Sequence, residues 1–118
     1  IVGKPLLALL SQKFEVGNAT VTICHTGTSN LKKHTSNADI LIVAAGVPNL
    51  INGNMIKKGC CIIDVGINRI KNGSTKGYYI SGDVDFNSVL NIAHSISPVP
   101  GGVGPLTIAM LLNNTILF

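Results

Sequence analysis

The 118 residues predict an α/β fold with a doubly wound, mostly parallel sheet, and three observations carry that expectation. Short β-branched runs alternate with segments of helical apolar spacing, the arrangement that sets crossover helices between parallel strands. Two runs, Ile40-Leu41-Ile42-Val43-Ala44-Ala45 and Cys60-Cys61-Ile62-Ile63-Asp64-Val65, are apolar at nearly every position, as strands buried on both faces must be. The length fits a single domain, 1–118, and 46% hydrophobic residues with a mean hydropathy of +0.43 supply its core.

In chain order, a first helix is expected from Pro5, placed at the opening position where a missing N–H does no harm. Leu6, Leu9, Leu10 and Phe14 give it an apolar stripe and Gly17 closes it. Thr20-Val21-Thr22-Ile23-Cys24 reads as a strand. The turn-rich His25-Thr26-Gly27-Thr28-Ser29-Asn30 follows, with hydroxyls to cap a short helix reaching about Ser36. Residues 39–45 form the next strand, ended by Gly46 and Pro48. A short helix is expected over 53–57, a strand over 60–66, and a surface turn at Lys71-Asn72-Gly73-Ser74. Asp85 caps a helix over 86–93, Ser95-Ile96-Ser97 is a last brief strand, and Gly104-Pro105 opens a terminal helix.

Composition excludes several classes. Charged residues are 12% of the chain, too few for a disordered tail. The longest apolar runs fall well short of the roughly 20 residues that a bilayer span needs, so no membrane association is expected. A net charge of +4 and a pI near 9.2 suit an anionic small molecule. Scattered lysine pairs and 4% aromatics leave no stacking platform for specific nucleic-acid binding. The start, Ile1-Val2-Gly3-Lys4-Pro5, has no signal-peptide pattern. It also lacks an initiator methionine, so the chain is expected to be a piece of something longer. Cys24, Cys60 and Cys61 have no metal-ligand spacing, so no metal site is expected and the thiols read as free, in a reducing compartment.

Ligands of doubly wound sheets bind beyond the carboxyl ends of the strands, and four segments here qualify. In Val2-Gly3-Lys4-Pro5 a glycine precedes a helix start, where backbone meets a pyrophosphate or simply turns. His25-Thr26-Gly27-Thr28 offers no acid for a ribose 2′-OH. Its hydroxyls and histidine would tolerate a 2′-phosphate, or they form an ordinary capping loop. In Asp64-Val65-Gly66-Ile67-Asn68-Arg69, Gly66 lets backbone approach a flat ring on which Ile67 packs; otherwise it is a strand-to-turn transition with Arg69 solvated. The fourth is the most specific. Six of the eight positions from 98 to 105 are Gly or Pro, more than a connection requires, so this is a rigid loop facing a ligand.

Together these segments resemble the methylenetetrahydrofolate dehydrogenase/cyclohydrolase family. Ile1-Val2-Gly3-Lys4-Pro5 is similar to the end of its Gly-Arg-Ser-x-x-Val-Gly-x-Pro loop. The stretch from Val21 to Thr28, Ala38-Asp39-Ile40, Ala44-Ala45-Gly46-x-Pro48, Asp64 to Arg69 and Gly82-Asp83-Val84-Asp85 follow in family order, and Pro98 to Thr107 is similar to its C-terminal signature. The likeness covers essentially the whole chain. It implies a Rossmann-like cofactor domain whose first strand is missing, and a multifunctional enzyme of one-carbon metabolism and purine biosynthesis. Such enzymes oxidise 5,10-methylenetetrahydrofolate with NADP+ (NAD+ in some members) and hydrolyse the methenyl product to 10-formyltetrahydrofolate.

By the same resemblance Val2, Gly3, His25, Thr26, Ala45, Gly46, Gly66, Ile67 and Thr107 bind the cofactor. Pro98, Val99, Pro100, Gly101, Gly102 and Val103 border the folate. No catalytic residue lies in this chain: the family's Lys and Tyr belong to an N-terminal domain, and its phosphate-pairing Arg to the Gly-Arg-Ser segment. Thr26 keeps the hydroxyl of the family's Cys-His-Ser-x-Thr, while Gly27 stands where a polar or basic residue is common. A homodimer in the cytoplasm or an organelle is implied. Lacking the central strand, the chain alone is expected to expose sheet edges and to be unstable or associated. Two alternatives stand beside this reading. One is another NADP-dependent dehydrogenase, such as a shikimate dehydrogenase-like domain, which the 98–107 loop disfavours. The other is a non-catalytic nucleotide-binding or interaction module, which an upstream Tyr-x-x-x-Lys would exclude.

Overall fold

Parallel strands organise the middle of the chain. The computed structural model describes residues 1–73, 75 and 77–118, in the order α1 (Gly3–Leu10), α2 (Leu31–Thr35), β1 (Ile40–Val43), a 3₁₀ turn (Gly53–Met55), β2 (Cys61–Asp64), β3 (Asn68–Lys71), β4 (Tyr78–Ser81), α3 (Phe86–Val89), β5 (Ser95–Ile96) and α4 (Val103–Leu117). The first sheet is β1-β2-β5. In it β1 runs parallel to β2, from Ile40 opposite Cys61 to Val43 opposite Asp64, and β2 is parallel to β5. The Rossmann-like α/β class is therefore realised, with β2 at the centre.

Burial follows this ladder. The core consists of Val43, Ile51, Ile56, Cys60, Ile62, Val84 and Val89, with Leu31, Leu41, Leu50, Met55, Ile92, Ala93 and Ile96 packed against it. Along β2, Ile62 and Asp64 are buried while Cys61 and Ile63 are only partly so, the alternation of a strand with one well-covered face. Cys60 and Cys61 accordingly separate, one buried and one half-buried, and all three thiols are free. Burial pushes the Cys60 thiol above its ordinary value, with neighbouring Cys61 adding to the effect.

Several expected elements change. Residues 20–24 form no strand: no ladder partner lies beside them among the described residues, and β-branched composition cannot replace interstrand hydrogen bonds. The expectation of burial on both faces fails for β1, an edge strand in which only Val43 is buried and Ile40 is 63% exposed. Helix α1 stops at Leu10, where the Ser11 hydroxyl donates to Leu7 O at 2.7 Å. Phe14 and Gly17 lie beyond it, and Pro5 is its third residue. The cap of α2 is the Asn30 side-chain oxygen, accepting from Lys33 N in a left-handed backbone with φ 52°, rather than a hydroxyl. Only a 3₁₀ turn forms within 53–57, and α3 covers four residues. Its cap is Asp85, as expected.

An antiparallel ribbon was not anticipated. β3 and β4 pair from Asn68 opposite Ser81 to Lys71 opposite Tyr78, and the exposed Arg69 lies over the Tyr78 ring at 5.2 Å, so this guanidinium is stacked on one side and solvated on the other. The turn expected at 71–74 includes Ser74, which lies outside the described residues. Helix α4 begins one residue before Gly104. No helix among the described residues is long and apolar enough to cross a membrane.

Candidate functional site

Two buried aspartates assemble the strand ends. Asp64 closes β2, and its carboxylate accepts from Gly66 N at 2.9 Å, Asp83 N at 3.1 Å and Val84 N at 3.0 Å. Asp83, just after β4, accepts from Ala45 N at 2.7 Å and Gly46 N at 2.8 Å on one oxygen and from Asn68 Nδ2 at 2.8 Å on the other. Asp64 is 3% exposed and Asp83 0%. Burying a carboxylate is costly unless donors replace water; among the described residues those donors are amides, and they tie three strand exits to one another.

The glycines beside these acids interlock with them. A Cβ on Gly66 would overlap the Asp83 carboxyl group, and one on Gly82 would overlap the Asp64 carboxyl group. Each aspartate thus fills the space that the other segment's glycine leaves open. For Gly66 the absent side chain is required by Asp83, whatever else approaches.

Against this frame lies a cleft of about 240 Å³. One wall is the exit of β2, with Gly66 and Ile67, joined by Ile80 of β4; the opposite wall is the 98–105 loop. That loop contains a cis Val99–Pro100 peptide and turns at Gly101, whose φ of +96° is a conformation only glycine adopts readily. Gly102 has no room for a Cβ, which would overlap Pro98 O. Apart from Asp64 at its edge, the walls are apolar side chains and backbone. A volume below the few hundred Å³ of a typical ligand pocket admits one flat ring, not a whole dinucleotide.

Eight of the predicted site residues therefore meet here: Gly66, Ile67, Pro98, Val99, Pro100, Gly101, Gly102 and Val103. The other seven lie elsewhere. Ala45 and Gly46 turn their amides onto Asp83 and leave open space on the other side of Gly46. His25 and Thr26 sit in an exposed turn braced by His25 N donating to Thr28 Oγ1 and Gly27 N donating to His25 Nδ1. Val2 precedes α1 and Gly3 begins it, near Ile23. Thr107 faces a shallower concavity on α4 with Leu106, Met110 and Leu111, and its hydroxyl donates to Val103 O at 2.9 Å.

The residues present fit an anionic dinucleotide. The first turn of α1 carries no acid and no side-chain cap, so its amides remain available to a phosphate. The 25–30 turn carries hydroxyls and an imidazole but no carboxylate, and Lys32 and Lys33 follow it in α2. The sequence reading placed Asn68 and Asp83 in family-like segments without giving either a role, and it passed over Ile80. An acid ending an apolar run was the available signal for Asp64, and Gly-Asp at 82–83 for its partner.

The family model for the NAD(P)-binding domain of tetrahydrofolate dehydrogenase/cyclohydrolase matches residues 1–118. The chain is 57% identical over 116 residues to Bifunctional protein FolD 1 of Haloarcula marismortui, covering 98% of this chain and 39% of that protein. It is 58% identical over 118 residues to Bifunctional protein FolD of Protochlamydia amoebophila, covering 99% and 40%. Among solved structures it is similar to a 5,10-methylenetetrahydrofolate dehydrogenase from the silkworm Bombyx mori, with a TM-score of 0.82, 46% identity, and 98% of this chain and 40% of that one covered. It is also similar to the Trypanosoma brucei FolD complexed with NADP cofactor and an inhibitor, with a TM-score of 0.78, 42% identity, and 83% and 34% covered. The chain thus spans about two fifths of the length of the curated relatives it matches.

Proposed function

The chain belongs to the tetrahydrofolate dehydrogenase/cyclohydrolase family as its NAD(P)-binding domain, and from that premise we propose that it is the cofactor-holding part of an enzyme oxidising 5,10-methylenetetrahydrofolate with NADP+ and hydrolysing the methenyl product to 10-formyltetrahydrofolate. The observation that carries this reading is the cleft that sets Gly66 and Ile67 against the stiff 98–103 loop. A nicotinamide bound there supplies the hydride acceptor. The chain's own part is orientation: apolar walls exclude water from one face of the ring, and the loop borders the folate. The α1 amides, Val2 and Gly3 hold the pyrophosphate, while His25 and Thr26 face the adenosine 2′-phosphate.

In this reading the Lys and Tyr chemistry comes from the part of the relatives that the chain does not cover. The enzyme works as a homodimer in the cytoplasm, association being supported by the exposed apolar side chains of α4, among them Leu106, Ile108 and Leu111.

The test is folate-dependent reduction of NADP+ by the longest natural polypeptide that carries residues 1–118, with and without Ile67→Asp. Ile67 is 64% exposed, so the substitution leaves folding nearly unchanged. A charge on the cleft wall is expected to raise the NADP+ KM roughly tenfold or more, as desolvating a carboxylate against the ring demands. No turnover in the parent protein, or an unchanged KM in the variant, overturns the proposal.

A further inference from the structure

The Asp83 carboxylate is the most thoroughly buried acid of the chain, at 0% exposed, yet one of the segments it holds is an exposed turn. One oxygen accepts from both Ala45 N and Gly46 N. The other accepts from Asn68 Nδ2, whose second bond goes to Ser81 O at 3.3 Å. No neutral side chain of this size offers two acceptor oxygens, so only a carboxylate can accept from all three of these donors at once. What a carboxylate provides is geometry: two neighbouring amides converge on a single oxygen, and a side-chain amide is held on the other.

We infer that Asp83 is a positioning residue for cofactor binding, clamping the exit turn of β1 to the base of the β3–β4 ribbon so that Ala45–Gly46 and Gly66–Ile67 are held as one surface. This rests on the function proposed above. Asp83 makes no contact with the cofactor in this account; its effect passes through the amides of Ala45 and Gly46 and through Asn68.

The donor and acceptor pattern makes the inference testable by exchange. In Asp83→Asn the remaining carbonyl oxygen still accepts from Ala45 and Gly46, but the new NH2 meets the NH2 of Asn68, and the clamp opens at that joint. Adding Asn68→Asp restores an acceptor opposite the new donor, giving up only the longer 3.3 Å bond to Ser81 O. The experiment measures the NADP+ dissociation constant and the amide hydrogen exchange of Ala45 and Gly46 in the same longest natural polypeptide. Wild type, Asp83→Asn, Asn68→Asp and the double variant are compared, with circular dichroism fixing the folded fraction. Asp83→Asn is expected to weaken NADP+ roughly tenfold, about the loss of one charge-assisted hydrogen bond, with faster exchange at Ala45 and Gly46. Asn68→Asp, which opposes two carboxylates, is expected to do worse, and the double variant to recover most of both readouts.

A folded Asp83→Asn protein with unchanged NADP+ affinity overturns the positioning role, even if its melting temperature falls. Failure of the double variant to recover either readout overturns the clamp. A wild-type protein that binds no NADP+ overturns the function proposed above and the role of Asp83 at the cofactor together.

Discussion

The β1-β2-β5 sheet and the helices at either end of the chain are built from similarly apolar sequence, yet they differ in what they bury. Every core residue falls between Val43 and Val89, whereas α1 and α4 contain no buried residue. In α4, Leu106, Ile108, Leu111, Leu112 and Ile116 are all more than half exposed. The difference teaches where cohesion comes from. A parallel strand satisfies its backbone only against neighbours, so forming β2 draws β1 and β5 together and covers Ile62 in the same act. A helix satisfies its own backbone and can exist with its apolar surface open, though it then lacks the tertiary packing that supplies most helical stability.

The comparison can be broken first at Asp64. Asp64→Ala leaves the amides of Gly66, Asp83 and Val84 buried without an acceptor. At about 1–3 kcal/mol each, that loss rivals the roughly 5–15 kcal/mol of a whole domain. The expected outcome is loss of a cooperative urea transition followed by circular dichroism. A retained transition would mean that the sheet does not depend on this acid.

A matched pair of truncations sharpens the contrast. Ile62, 1% exposed, should cost about 2–5 kcal/mol on replacement by alanine. Leu111→Ala in α4, at 66% exposed in the single chain, should stay within about 0.5 kcal/mol when measured in dilute, dissociated protein. Comparable losses in urea denaturation would show that α4 is covered in solution by something packed on it.

The smallest effect concerns Cys60. Its thiol is raised by burial above the ordinary 9.0, so the folded chain holds it neutral more firmly than the unfolded chain does. The resulting stability is complete below 9.0 and is lost as pH climbs above 9.0 through the raised value. Urea midpoints measured on either side of 9.0 should fall less in Cys60→Ala than in the native chain. At neutral pH, mass spectrometry should find Cys24 and Cys61 alkylated before Cys60. Equal labelling would contradict the burial.

Elements whose signal is local were legible in the sequence: the apolar runs of β1 and β2, the Asp85 cap of α3, and the Gly/Pro density of the 98–105 loop. Elements whose existence depends on a distant partner were not. Residues 20–24 have strand composition, but pairing is a property of two segments. The β3–β4 ribbon hid in the reverse way, because Asn68-Arg69-Ile70-Lys71 looks like a polar turn until Tyr78 and Ile80 come to lie opposite it. The cleft was half readable. Its glycines, prolines and Ile67 stood out, while Ile80 and the two aspartates, separated by 19 positions, gave no joint signal that spacing could reveal.

The crossed fit of Gly66 against Asp83 and Gly82 against Asp64 also bears on how variation in this chain should be interpreted. A saturation library scored one site at a time will find all four positions intolerant, and proximity to the cleft would invite blaming the ligand at each. Only simultaneous replacement across both segments can separate the demands of mutual fit from those of chemistry. Any redesign of this pocket therefore has to treat the quartet as a single inherited unit.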